Sequence, residues 1–119
     1  MGKSIKVIIA GGRKFNDYSL LFDVCNHMLQ NQKDVEIVSG TAGGADKLGE
    51  KYAKEKGYPL KQFPANWEQF GKGAGYIRNK QMAEYADALI CFWDGESKGT
   101  GHMIDLAKKQ GIKVKIEKY

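Results

Sequence analysis

The chain has 119 residues, 42% of them hydrophobic and 28% charged, with a formal net charge of +5. That length suits one compact domain over residues 1–119, and the composition is ordinary for a globular protein. No apolar run approaches membrane-spanning length, and the Met1-Gly2-Lys3-Ser4 start lacks the features of a secretory signal, so a cytoplasmic protein with no membrane partner is expected.

The positive charge comes from 17 lysines and two arginines, Arg13 and Arg78. Lysine-rich surfaces are ordinarily solvated faces. Scarce arginines beside glycine-containing or polar turns point instead to bidentate recognition of a phosphate or carboxylate. Cys25 and Cys91 fall inside apolar patterns without CxxC spacing and read as core residues. His27 and His102 have no companion ligands, so neither metal nor cofactor is expected.

Lys6-Val7-Ile8-Ile9-Ala10, closed by Gly11-Gly12, has the unbroken apolar character of a central strand. Asn16 or Asp17 is the expected N-cap of a helix striped by Tyr18, Leu21, Phe22, Cys25 and Leu29. Polar Gln30 to Lys33 end it, and Val35 to Val38 form the second strand. That strand stops at Ser39-Gly40, and Thr41-Ala42-Gly43-Gly44 leads into a helix striped by Ala45, Leu48, Tyr52 and Ala53, which Gly57 caps. Strand, glycine-rich turn and helix together make a phosphate cradle. Glycine lets backbone approach a ligand, and the first helical N–H groups lack intrahelical partners. The plainer alternative is a strand-to-helix turn that needs glycine only for geometry.

Tyr58 to Phe63 is the third strand, placed at an edge by Pro59. Pro64 to Gly75 is the longest irregular segment, and loops of that length are usually functional or mobile. The helix from about Tyr76 to Tyr85 carries Arg78-Asn79 in its first turns and is expected to bury Ile77, Met82 and Tyr85. Ala88 to Trp93 is a second central strand. Asp94 to Gly101 is another strand-to-helix turn, followed by a helix with Met103, Ile104 and Ala107 inside and Gly111 at its end. Ile112 to Ile116, with alternating lysines, suits an exposed edge.

Five strands alternating with four helices predict an α/β fold, a parallel sheet covered on both faces in the order 3-2-1-4-5. Its connections reverse between the first and fourth strands, and ligands bind at the carboxyl ends there. Gly11, Gly12 and Arg13 would form one wall of that crevice and Asp94, Gly95, Gly99, Thr100 and Gly101 the other. Ser39, Gly40, Thr41, Gly44, Ala45 and Asp46 lie beside them. Arg13 and Arg78 would add charge-assisted bonds to a phosphate, and Asp46 or Asp94 would accept ribose hydroxyls. Each has a structural alternative. Asp46 can serve only the helix dipole, Asp94 only the turn, Arg78 a surface salt bridge, and Asn79 a helix surface. Trp67 and Trp93 can stack on a base, although Trp93 ends a core strand and suits packing better.

Five stretches carry a resemblance: Gly11-Gly12-Arg13; Ser39 through Asp46; Phe63-Pro64-Ala65-Asn66-Trp67; Ala74 through Asn79; and Phe92-Trp93-Asp94-Gly95 with Lys98-Gly99-Thr100. In that order they resemble the YspA/YpsA-related branch of the SLOG superfamily. The resemblance implies a Rossmann-like fold and ligands that are nucleotides or relatives of NAD and ADP-ribose. It also implies a place in bacterial and phage conflict, and homo-oligomers. Within the superfamily, LOG-type enzymes cleave the N-glycosidic bond of nucleoside monophosphates, and the DprA branch binds single-stranded DNA. Two departures stand out. Thr41 replaces a usual glycine, and Gly43 stands where the family pattern has an arginine. After Gly99-Thr100, moreover, Gly101-His102-Met103-Ile104-Asp105 lacks the paired glutamates of LOG-type enzymes.

The expected function is therefore binding of a nucleotide-derived signal such as ADP-ribose, NAD or a cyclic nucleotide, for sensing or sequestration. The enzymatic alternative, hydrolysis of a nucleoside-phosphate N-glycosidic bond, would fall to Asp94 or Glu96. Single-stranded DNA binding ranks third, because the lysines are scattered.

Overall fold

A computed structural model describes residues 4–119. Strands β1 (Ile5–Gly11), β2 (Val35–Ser39), β3 (Leu60–Gln62), β4 (Ala88–Trp93) and β5 (Lys113–Lys118) form one sheet in the order β3-β2-β1-β4-β5. Every neighbouring pair is parallel. Helices α1 (Tyr18–Leu29), α2 (Ala45–Lys56), α4 (Ala74–Tyr85) and α5 (Lys98–Gln110) join them, with a short α3 (Trp67–Phe70) and a 3₁₀ turn (Gly71–Gly73) ahead of α4.

The strand alternation sorts the core into two layers. Val7 and Ile9 of β1 pack with Leu21 and Cys25 of α1 and Tyr52 of α2 on one face. Ile8 and Ala10 pack with Met82 of α4 and Met103 of α5 on the other. Because β1 and β4 are covered on both sides, their side chains are apolar without interruption from Val7 to Ala10 in β1 and from Ala88 to Trp93 in β4. The result is a three-layer Rossmann-like α/β sandwich. Both cysteines are free and buried. Among the described residues, no helix is long and apolar enough to cross a membrane.

Of the local expectations, one is decided between its two alternatives and the others are corrected. The cap of α1 is Asp17, whose carboxylate accepts from the Leu20 amide at 3.0 Å. Pro64 to Gly75 is not irregular throughout. Asn66 caps α3 by accepting from the Gln69 amide at 3.0 Å, and α4 starts at Ala74, two residues before Tyr76. Ile77 is exposed and Tyr85 only half-buried, whereas Arg78 and Asn79 are buried. The start of α4 turns its polar side chains toward the carboxyl end of the sheet, which inverts the usual amphipathic pattern. Finally, β5 begins at Lys113 and runs on to Lys118, since Gly111 closes α5 with its amide on the Ala107 and Lys108 carbonyls.

Candidate functional site

The turn after β1 meets strand β4 and the head of α2 at Gly12. The Gly12 amide donates to the Phe92 carbonyl at 3.1 Å, and its own carbonyl accepts from Phe15 at 3.2 Å and Ala45 at 3.1 Å. Backbones approach so closely here that a Cβ on Gly11 would strike the Phe92 carbonyl, and one on Gly44, which has φ +67°, would strike that of Gly12. These two glycines are required by the joining of the loops. A Cβ on Gly12 would meet the Tyr119 hydroxyl, which the end of β5 delivers to the crevice.

The β2–α2 loop is held from within. Ser39, fully buried, donates to Glu50 at 2.7 Å and accepts the Thr41 amide at 3.0 Å. The Ala42 amide donates to Asp46 at 3.1 Å, and the Ala45 amide goes to Gly12. Three amides of the expected phosphate cradle are thus engaged by the protein itself. Thr41 sits at φ +65°, the only non-glycine residue with positive φ among those described. Gly43 is exposed, and a Cβ there would meet nothing nearer than the Arg13 carbonyl at 3.7 Å.

Beneath this loop lie Asp46 and Arg78, 6% and 9% exposed. Arg78 donates through Nη1 to the Gly40 carbonyl and through Nε to Asn79 Oδ1 at 2.9 Å. Burial lowers its pKa, the Asp46 charge raises it, and the Arg13 charge lowers it again. Burial pushes the Asp46 carboxyl up to about 6, against the pull of the Ala42 amide and the Arg78 charge. A surface salt bridge for Arg78 and a surface amide for Asn79 are both ruled out by this burial.

On the other wall, the exposed Asp94 accepts through Oδ1 from the Glu96 amide at 2.9 Å and the Ser97 amide at 2.8 Å. Those bonds hold its carboxyl below the usual carboxylate range. Gly95 provides the turn with φ +88°. Trp93 donates from its indole to the Ser97 carbonyl at 3.0 Å, and Thr100 donates to Ser97 Oγ at 3.2 Å. The first helical bond of α5 runs from Gly101 to Ser97 at 3.0 Å, so the Lys98, Gly99 and Thr100 amides stand at its open N-terminus.

The crevice between these loops has a main cleft of about 480 Å³. Gly12, Arg13, Arg78, Asn79, Asp94 and Gly99 of the expected site line it. Gly11, Asp46 and Thr100 line a deeper recess, and Gly40 and Thr41 a neighbouring lobe. Ser39, Gly44, Ala45, Gly95 and Gly101 stand behind these walls as supports, and Glu96 does not face the cleft. Sequence reasoning missed Lys14, Lys72, Tyr76, Ser97 and Tyr119 on its walls. Among the described residues, no group of three or more His, Cys, Asp or Glu side chains is placed to hold a metal.

A Rossmann-like parallel sheet with a basic, glycine-walled crevice at its carboxyl edge defines the class of protein. The family model for the YspA, cpYpsA-related SLOG family matches residues 5–70, and the chain belongs to that family. It is 32% identical over 116 residues to the Gene 61 protein of Mycobacterium phage D29, an alignment covering 92% of this chain and 93% of that protein. Its fold is similar to that of DNA processing protein A (DprA) from Streptococcus pneumoniae, with TM-score 0.77 and 18% identity over 95% of this chain and 50% of that one. A structure concerning the single-stranded DNA binding mode of DprA from Helicobacter pylori matches with TM-score 0.64 and 19% identity, covering 94% and 64%. The chain spans about half of the first DprA and 64% of the second, and at these identities the likeness establishes the fold.

Proposed function

We propose that this chain binds a phosphate-bearing, nucleotide-derived small molecule, such as ADP-ribose, NAD or a cyclic nucleotide, as a sensor or sequestering protein. The observation that carries it is the convergence of Arg13 and Arg78 on one crevice at the N-terminus of α5. Guanidinium groups bind phosphate bidentately, and the helix terminus adds unpaired amides and a favourable dipole. Membership of the SLOG family supports the same ligand class. Mass spectrometry of small molecules that co-purify with the protein, followed by calorimetry with those compounds, tests it. No binding of ADP-ribose, NAD or common nucleotides at high micromolar concentration would sink it. The homo-oligomer implied by the family is read by light scattering.

Single-stranded DNA is the alternative partner, favoured by the DprA-like fold and by the half-exposed Trp67 and Tyr76 beside Lys14 and Lys72. Bases stack on aromatic rings while lysines follow the phosphates, so affinity for an oligothymidylate should fall steeply with salt. Affinity that does not change between 50 and 200 mM salt would exclude it.

An N-glycosidic hydrolase would need a carboxylic acid to protonate the leaving base. Asp94, held ionised by two amides, is poorly suited to give a proton at neutral pH. Base release that survives Asp94→Asn and Glu96→Gln would remove both from a catalytic role.

A further inference from the structure

The crevice has two lobes with a waist between them. The main cleft, about 480 Å³, and a second lobe of about 380 Å³ share three wall residues: Arg13, Trp67 and Arg78. Each volume alone is sufficient for a small-molecule site, which typically runs from roughly 300 to 1,000 Å³. A third recess of about 90 Å³ falls well below that range, yet both arginines line it too, together with Ser97, Gly99 and Thr100 at the head of α5. The waist is therefore where the two arginines stand, and the open helix terminus lines the larger lobe and the recess beside them.

The two lobes differ in chemistry. Tyr76 and Tyr119 flank the larger one, and with Trp67 they are 51%, 49% and 52% exposed, which leaves ring surface free for stacking. Lys14, Lys72 and Asp94 supply its charges. The smaller lobe is walled by the Gly40–Gly43 stretch with Pro64 and Ala65, and has no charged side chain apart from the shared arginines. At the waist, the Arg13 charge bears on Arg78 closely enough to lower its pKa, and Asp46 is the carboxyl that answers both. A bound anion there would relieve the repulsion between the two guanidinium groups.

We infer that the ligand is a molecule of two ring-bearing units joined through a phosphate bridge, with the bridge at the waist and one unit in each lobe. This deepens the proposed nucleotide binding and rests on it. A mononucleotide fills only one lobe, whereas a two-ended ligand uses both and presents Trp67 with a ring on either side. The bridge can be a 5′–5′ diphosphate or a 3′–5′ phosphodiester, which share this chemistry.

Calorimetry on the full chain with diadenosine diphosphate, the dinucleotide ApA, AMP and ADP tests the inference. At least one two-ended compound should bind tenfold or more tightly than both AMP and ADP, and the preferred one identifies the bridge. The Gly43→Trp substitution puts a side chain into the smaller lobe from an exposed position with space for a Cβ, and should bring that preference below threefold. A preference under tenfold in the unaltered chain, or one retained in full by Gly43→Trp, would overturn the two-lobe inference while leaving nucleotide binding intact. Failure of all four compounds to bind would overturn both.

Discussion

Arg78 and Gly40 are joined across the floor of the crevice, the Nη1 of the arginine donating to the glycine carbonyl. The glycine is needed at that contact. A Cβ on Gly40 would lie 2.8 Å from Arg78 Nη1 and 2.9 Å from Asp46 Oδ2, inside van der Waals contact with both. Gly40→Ala should therefore displace the buried guanidinium and destabilise the protein by about 1–3 kcal/mol, the usual range for overpacking. A urea midpoint equal to that of the unaltered chain would show that the site yields freely.

Asp46 should make stability depend on pH in a direction opposite to most native carboxylates. Its folded pKa of about 6 exceeds the ordinary 3.8, so between about pH 4 and 6 the native state binds more protons than the unfolded chain. Stability therefore falls as pH rises through that window and levels off above it. At roughly 1.4 kcal/mol per pKa unit the effect is on the order of 3 kcal/mol. Asp46→Asn keeps an acceptor for the Ala42 amide and should flatten this dependence while stabilising the chain at pH 7. Parallel stability curves for the two proteins from pH 4 to 7 would contradict this account.

Thr41 occupies the left-handed region at φ +65°, where a β-branched residue is strained. That conformation costs an L-residue about 1–2 kcal/mol, and glycine gives back roughly 0.5–1 kcal/mol through its extra unfolded-state freedom. Thr41→Gly should raise stability by about 0.5–1 kcal/mol, measured by thermal unfolding. A lowered melting temperature would mean that Thr41 side-chain contacts outweigh the strain.

Gly43 lies on the smaller lobe with open space around its Cα. Restoring the arginine of the family pattern, Gly43→Arg, should change stability by less than about 0.5 kcal/mol, as exposed substitutions do. It should also add a third guanidinium to the lobe and so alter affinity or preference among nucleotide ligands. An identical binding profile across a nucleotide panel would show that the lobe does not touch the ligand.

The sheet order was legible because β1 and β4 are buried on both faces and say so in consecutive apolar residues, while Pro59 marks an edge. The glycine loops were legible for the same local reason. What escaped was non-local or inverted. Tyr119 reaches Gly12 through the pairing of β5 with β4, which nothing near Tyr119 in sequence announces. Ile77 was assigned to the core by hydrophobicity, yet α4 opens against a polar crevice, so Arg78 and Asn79 are buried instead. Ser39 to Asp46 had the composition of a phosphate cradle, but composition does not reveal which amides Ser39, Asp46 and Gly12 already occupy.

One peptide carbonyl, that of Gly12, holds both the turn after β1 and the head of α2. The two are consequently tied to each other, and the proposed nucleotide ligand would meet a seat assembled before it arrives. Little ordering free energy would then be spent there on binding, and selectivity would be set by fit to a fixed shape rather than by closure around whatever enters.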